Sequence, residues 1–482
     1  MNLWVIAAQA AVVAVSALSA PRYIHMLQLS SYQANGYFRR LREGGLFTVF
    51  AKRRGKAKKP LKYTARAVRL LCAHILLTCC LSFAVWLPYA LWLTAPAAAL
   101  VACSPLPAAF ANIVTLPLQS AVNARYIRSA KKILRSLPNL LVIGVTGSYG
   151  KTSVKHILAK LLSVRHNVFA TPGSYNTALG VVRAIREGLR AEHEVFVCEM
   201  GARHIGDIRK ITDIARPRFG VITSVAPQHL ETFRTVENIA DTKFELVRAL
   251  GEGGRAFLCA DYEHIRARAP ASAVTFGLMA EYSPDYLASD IEADSGGTRF
   301  TVRARDGQTQ QYRTSLLGRH QVGNILAAIA VAHTMGLPLA KLAGAVRGLQ
   351  PVPHRLQLIA GGRLTIIDDA YNSNPAGAEA ALDVLAMFPG VKVLVTPGMV
   401  ELGEREYELN KAFGLHASRV CQYAALVGKR RTAPIAEGLQ SLPGGRVAAF
   451  DTLGEAMTWV CALEGDKPLY VLLENDLPDN YV

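Results

Sequence analysis

Acidic residues are almost missing from the first part of this 482-residue sequence. Glu43 is the only one before residue 141, against 18 lysines and arginines. Two stretches lack charge of either sign, residues 1–21 and the 55 residues from 70 to 124. Uncharged runs of that length exclude an ordinary water-facing surface for this region. The eight cysteines show no C-x-x-C spacing, which excludes a metal-binding or disulfide framework. Cys72, Cys79, Cys80 and Cys103 fall in the uncharged stretches, and Cys198, Cys259, Cys421 and Cys461 fall in apolar strand or helix patterns. All eight read as small buried hydrophobes of a reducing compartment. No internal repeat or low-complexity tract is present, which excludes a repeat architecture.

What the first 140 residues do contain is apolar sequence and positive charge. A helix crosses a bilayer with about 20 apolar residues, and this predicts three transmembrane helices at roughly 3–21, 70–92 and 97–118. A cleaved signal peptide is the alternative for the first, but a basic n-region is missing and two more spans follow. Thirteen cations lie between Arg22 and Arg69, and five between Arg125 and Arg135 in RYIRSAKKILR. Both groups belong on the cytoplasmic side by the positive-inside bias. Three crossings satisfy that with the N-terminus outside, giving a multi-pass protein of the cell membrane with its C-terminal part cytoplasmic. Lipid headgroups are the expected partner of these cations, and the absence of an aromatic-interleaved surface argues against nucleic acid. The remainder of the chain holds 36 basic and 35 acidic residues, so the sequence pI of 9.6 belongs to the first part.

The segment VIGVTGSYGKT, Val142 to Thr152, is an apolar strand running into a glycine-bounded turn. Thr146, Gly147, Ser148, Tyr149, Gly150, Lys151, Thr152 and Ser153 form a phosphate loop. Its glycines let backbone N–H groups approach an anion, Lys151 reaches terminal phosphates, and Thr152 can ligate Mg²⁺. The spacing is shorter than the common P-loop, which has a glycine where this chain has Val145. Strand-like runs (LLVIGVTG, NVFAT, EVFVCEM, FGVITSV, RAFLCA) alternate with helical ones, predicting an α/β fold with a parallel sheet. Alternating polar sequence from about Tyr286 to Leu317 predicts an antiparallel flap. After Pro351–Pro353 the strand–helix alternation resumes and ends at YVLLEN. The expected domains are therefore a membrane region at 1–135, an ATP-binding domain at 136–350 and a Rossmann-like domain at 351–482. Glu199 ends the buried strand EVFVCEM, where an unpaired charge would be costly. With Thr152 it is the natural ligand set for an ATP-bridging Mg²⁺.

The short phosphate loop resembles that of the Mur ligases, the ATP-dependent amide-bond formers of peptidoglycan synthesis, and eight further segments follow in the order of that family. These are GSYNTALG (Gly173 to Gly180), CEMGA (Cys198 to Ala202), QHLETF (Gln228 to Phe233), DTKFE (Asp241 to Glu245), GRHQVGN (Gly318 to Asn324), PHR followed by DDAYNSNP (Asp368 to Pro375), and GMVELGE (Gly398 to Glu404). The resemblance covers about residue 140 to the C-terminus. It implies an acyl-phosphate ligase that uses ATP and two Mg²⁺ ions. Ser174, Tyr175, Asn176 and Thr177 would line the acceptor side, together with Tyr371, Asn372 and Asn374. His229 and a carbamylated Lys243 would hold the second ion, His320 and Asn324 would contact adenine, Arg355 would reach the γ-phosphate, and Asp369 the ribose. From the residues alone, Lys243 also reads as a solvated helix-face lysine, His229 as a loop histidine, and Asn324 as the cap of the helix NILAAIAVA. Gln228 and Gln321 depart from the residues common in the family. The last two segments most resemble the branch that adds D-alanyl-D-alanine to UDP-N-acetylmuramoyl-tripeptide, which makes a muramoyl-peptide and D-Ala-D-Ala, or an amino acid, the expected substrates. A membrane-anchored polymerising ligase such as a poly-γ-glutamate synthase, and a non-catalytic nucleotide-binding scaffold, are the alternatives. The family's usual uridine-nucleotide domain has no counterpart before residue 140. Cations of RYIRSAKKILR suit a phosphate-bearing headgroup, which predicts a lipid-linked or membrane-presented acceptor.

Overall fold

A computed structural model describes residues 3–44, 60–84, 105–371, 373–400, 402–440, 442 and 446–476. The chain divides near residue 126 into two units. The described part of the first holds the helices Leu3–Leu29, Ala34–Gly44, Ala65–Ala84 and Leu106–Val114 and the start of a further one, Leu116–Arg135. Tyr23, Leu27, Tyr37, Leu41 and Ala108 form one small core, and Ile24, Ala67, Leu70 and Ala111 another. The Ser16 hydroxyl inside lies 3.0 Å from His74 Nε2 and 2.9 Å from the Thr78 hydroxyl. Arg66 lies over the Tyr32 ring at 3.9 Å and donates to Asn112.

Of the three expected spans, the described residues hold one helix long and apolar enough to cross a membrane, Ala10–Leu29. The helix that contains the expected 3–21 runs Leu3–Leu29, continuing through Pro21 and Arg22. Pro21 removes one backbone donor and crowds the carbonyl one turn back, yet the chain stays helical through it to Leu29. The end of the expected second span and the start of the third fall within 85–104, outside the described residues. At the far end of the third, the helix breaks at Thr115 and resumes as Leu116–Arg135, which carries the chain into the second unit.

The second unit contains two sheets. In the first, β1 is Leu141–Thr146, β2 Val168–Ala170, β3 Val195–Glu199, β4 Phe219–Ile222, β5 Arg255–Cys259, β6 Val274–Gly277, β7 Tyr286–Asp294, β8 Gly297–Arg303 and β9 Thr309–Thr314. Their order is β2-β3-β1-β4-β5-β6-β7-β8-β9, parallel up to β7 and antiparallel beyond it. The antiparallel part is the flap read from the alternating sequence; β6 was not legible in it. In the second sheet, β10 is Gln357–Gly361, β11 Leu364–Asp369, β12 Val391–Thr396, β13 Tyr423–Val427, β14 Val447–Phe450 and β15 Leu469–Glu474. Their order is β10-β11-β15-β12-β13-β14, all parallel except the β10 edge.

Two features of the first sheet position the site. β1 lies between β3 and β4, where the strand order reverses, and this switch point opens a crevice at the carboxyl ends of the strands. The register pairs Val145 with Glu199, so the phosphate loop leaves β1 beside that carboxylate. Gly144 and Gly220 lie under Leu246, whose side chain would meet a Cβ at 2.8 and 2.9 Å. These two glycines let the helix Val236–Arg248 lie close on the sheet, with Lys243 buried on that inner side.

A phosphate loop facing a cross-domain arginine

The helix Lys151–Leu162 starts at Gly150, which adopts φ +79° and caps it without a side chain. A Cβ there would strike the amide oxygen of Asn324, and one at Gly147 would strike the Thr223 hydroxyl. Both turns therefore require glycine. The segment after β4 clamps the loop: Ser148 Oγ donates to the Ala226 carbonyl at 2.9 Å and Tyr149 Oη to that of Pro227 at 2.8 Å. Ser224 Oγ accepts from the Tyr149 N–H at 2.7 Å. Thr146 spends its hydroxyl on the Met200 carbonyl, 2.8 Å away. Lys151 Nζ folds back on the carbonyls of Gly147 and Ser148, at 2.7 and 3.1 Å. Burial draws its ammonium down to about 8; Glu199 opposes the shift and Arg355 adds to it. Ser153 is buried in the first turn.

Glu199 is the centre of this network. Its Oε1 accepts from Thr152 Oγ1 at 3.1 Å and from Asn176 Nδ2 at 3.0 Å. Its Oε2 faces Lys155 Nζ at 3.1 Å, with both side chains sealed from solvent. Burial alone would raise this carboxyl, but Lys155, Asn176 and Lys151 together hold it below its ordinary value. Sequence reasoning missed Lys155. The available signal was its place four residues after Lys151, among the apolar Val154, Ile157 and Leu158 of the buried helix face.

Lys243 is buried, and desolvation, with repulsion from Lys151 added, holds its ammonium well below the usual lysine range. It is therefore not a solvated helix-face lysine. His229 follows the clamp segment and adopts φ 51°, a left-handed conformation that non-glycine residues rarely take. Among the described residues no group of three or more His, Cys, Asp and Glu side chains is gathered for a metal.

Asn324 does not cap a helix. The helix runs Arg319–Thr334, so Asn324 lies in its second turn, beside Gly150, donating to Gln321 at 3.1 Å. His320 is exposed near the start of the same helix. A cavity of about 170 Å³ adjoins this region, lined by Ser153, His156, Lys160, Gln321, Leu349 and Val352 among others.

From beyond the linker, Arg355 Nη2 donates to Thr152 Oγ1 at 3.5 Å, and its guanidinium lies over the Tyr371 ring at 4.7 Å. The Tyr371 hydroxyl meets that of Ser174. Arg355 Nε is buried and has no hydrogen-bond partner among the described residues. Asp369 accepts from the Leu356 N–H at 3.2 Å, and burial pushes its carboxyl up to about 6 despite Arg355. It pairs in register with Glu474, a buried carboxyl pushed up to about 7 and bonded to Ser373 and Thr396. Sequence reading did not single out Glu474. Tyr175 stacks with Arg183 at 5.2 Å. Thr177 and Asn374 use their side-chain oxygens to cap helices, accepting from Gly180 and Gly377. Asn372 lies outside the described residues.

Lys131, from the cationic run, is in a different place. It lines a cavity of about 570 Å³ with Arg216, Arg218, Asp213 and Glu252. Arg218 and Glu252 precede β4 and β5, so this cavity is at the amino ends of the strands, across the sheet from the phosphate loop.

Residues 145–332 match the family model described as the Mur ligase middle domain, and 354–473 the one described as Mur ligase, glutamate ligase domain. The UDP-N-acetylmuramoyl-tripeptide--D-alanyl-D-alanine ligase of Mycobacterium tuberculosis is 38% identical over 255 residues, 51% of this chain and 49% of that protein. The chain spans about half the length of the curated relatives it matches first. MurF from Acinetobacter baumannii superimposes with a TM-score of 0.67 at 27% identity, covering 73% of this chain and 77% of that one. The MurF ligase of Thermotoga maritima, solved in complex with ADP, gives 0.66 at 28% identity, covering 74% and 81%. Middle and C-terminal domains arranged around one phosphate loop, and matched in sequence and in structure, show that this chain belongs to the Mur ligase family.

Proposed function

We propose that this protein is an ATP-dependent amide ligase of cell-wall precursor synthesis that joins D-Ala-D-Ala to a muramoyl-tripeptide acceptor. One observation carries the reading: Thr152 is met by Glu199 from β3 and by Arg355 from beyond the linker, so one nucleotide would be gripped by both domains. The ADP bound by the Thermotoga maritima relative supports the nucleotide, and the names of the relatives support the dipeptide over a polymerising reaction.

In this reading Lys151 and Arg355 neutralise the phosphates, and the phosphate-loop N–H groups orient them. Thr152 and Glu199 would hold one Mg²⁺, and His229 with Lys243 a second; the ions would supply positive charge to the phosphates. Desolvation supports the chemistry asked of Lys243. A neutral amine attacks CO₂, loses a proton and becomes a carbamate, a ligand that a protonated lysine is not. The acceptor carboxylate attacks the γ-phosphorus and expels ADP. The free amine of D-Ala-D-Ala then attacks the acyl carbon, phosphate leaves, and the amine proton is released. Adenine is assigned to the cavity beside Ser153 and Gln321, near Asn324 and His320, with Asp369 on the ribose side. Ser174 to Thr177, with Tyr371, Asn372 and Asn374, are assigned to the acceptor and the amine; cap duty at Thr177 and Asn374 leaves their backbone as the better contact. Because Arg355 and Tyr371 lie beyond the linker, closure of the cleft belongs to the reaction.

We further propose that the N-terminal region anchors the ligase to the cell membrane, with the N-terminus outside and the catalytic domains cytoplasmic. The Lys131 cavity is across the sheet from Lys151, which favours a tether over an acceptor headgroup bound by that cationic run. The test of function is phosphate release with UDP-linked muramoyl-tripeptide and D-Ala-D-Ala, against Lys151→Ala. Release that is independent of either substrate, or equal in the variant, overturns the assignment. Cysteine labelling at position 2 and within Lys52 to Lys59 tests the topology: labelling from the same side refutes three spans.

A further inference from the structure

Lys155 is a fully buried cation that the reaction above does not use. Its ammonium makes two described contacts, the Glu199 Oε2 oxygen at 3.1 Å and the Gly173 carbonyl at 2.6 Å. The other oxygen of Glu199 faces Thr152 and Asn176. Gly173 opens the acceptor-side loop, Ser174 of that loop meets Tyr371, and Asn176 returns to Glu199. One lysine thus joins the phosphate-loop helix, the strand-end carboxylate and the acceptor loop. A buried ion pair is weak evidence of stabilisation in itself, because desolvation offsets its attraction. Its geometry here has a different consequence: Oε2 faces the Lys155 ammonium, and Oε1 is the oxygen that meets Thr152.

We propose that Lys155 is a positioning residue that restricts Glu199 to one oxygen for Mg²⁺ and couples that ligand to the acceptor loop at Gly173. This rests on the nucleotide reading above and deepens it. Outer partners of a metal ligand fix its orientation, and removing one costs about 10–100-fold in metal affinity. The contact to Glu199 is a buried ion pair at 3.1 Å and the one to Gly173 a hydrogen bond, so a neutral side chain and a differently shaped cation must both disturb the arrangement, the neutral one more.

The experiment uses the full chain in detergent. Binding of a fluorescent ATP analogue is titrated with MgCl₂ for wild type, Lys155→Met, Lys155→Gln and Lys155→Arg. Lys155→Met and Lys155→Gln should raise the Mg²⁺ concentration for half-maximal binding about tenfold or more, and leave Mg²⁺-free nucleotide affinity nearly unchanged. Lys155→Arg should raise it about threefold, since a guanidinium fork cannot keep both the carboxylate and the carbonyl contact in the space of an ammonium. A purely structural lysine would lower the melting temperature without moving the Mg²⁺ requirement. A folded neutral variant with a wild-type Mg²⁺ requirement overturns the proposal. If neither neutral variant folds, a wild-type requirement in Lys155→Arg overturns it. Wild-type protein that binds no nucleotide with Mg²⁺ would instead sink the nucleotide reading itself.

Discussion

Replacing Glu199 with alanine should damage stability as well as activity, and the size of the stability loss follows from Lys155. The carboxylate is 1% exposed and its partner ammonium 0% exposed, at 3.1 Å. Removing one member of a buried pair leaves an uncompensated charge, at a cost of about 3–5 kcal/mol. The Gly173 carbonyl remains as an acceptor for Lys155, and the Thr152 hydroxyl and Asn176 amide lose theirs. Equilibrium urea unfolding followed by circular dichroism reads this directly in the wild type, Glu199→Ala, Lys155→Met and the double variant. The double variant should be less destabilised than the sum of the two single variants, by roughly 2–3 kcal/mol of coupling in the cycle. It should remain inactive, because the metal ligand is gone. A Glu199→Ala protein within about 1 kcal/mol of wild type would refute the argument that this charge is buried and paired.

Three further outcomes follow from the site. The Lys151 ammonium, drawn down to about 8, is charged below that pH and lost above it; kcat/KM for ATP should fall as pH rises through about 8, and kcat should hold further because bound phosphate favours the ammonium. A flat profile between roughly pH 7 and 9 would count against it. Lys243→Ala should be inactive and partly rescued by short carboxylic acids, measured as phosphate release; full activity without rescue would remove the carbamate from the mechanism. Glu474 is pushed up to about 7 by burial, so its protonated form favours folding at low pH, and that contribution of about 3 kcal/mol is lost as pH climbs from about 4.5 through 7. Glu474→Gln should flatten the fall in melting temperature across that window, and an unchanged slope would place the titration elsewhere.

The local signals in this sequence read well. β1 to β5 coincide with the apolar runs, because a strand buried on both faces needs a continuous apolar stretch. β6 and β10 escaped notice because β6 is only four residues long and β10 is a largely exposed edge strand without a continuous apolar run. The phosphate loop was legible because its glycines and Lys151-Thr152 are adjacent in sequence. Asn324 was ambiguous until the helix start at Arg319 excluded a capping role.

Sequence alone determined the α/β class, the phosphate loop, the order of the family's segments and the concentration of positive charge before residue 141. Each depends on neighbours a few residues apart, where hydrophobic period, turn chemistry and charge can be read directly. Only the tertiary structure decided that Lys155 faces Glu199, that Arg355 reaches Thr152 across 203 positions, and that Ser174 meets Tyr371. It also decided that Lys243 is buried and that Lys131 lies across the sheet from Lys151. Those outcomes depend on which face of a helix meets the sheet and which strand lies beside which. Strand order is set by the packing of the whole unit, and no local period of a sequence encodes it.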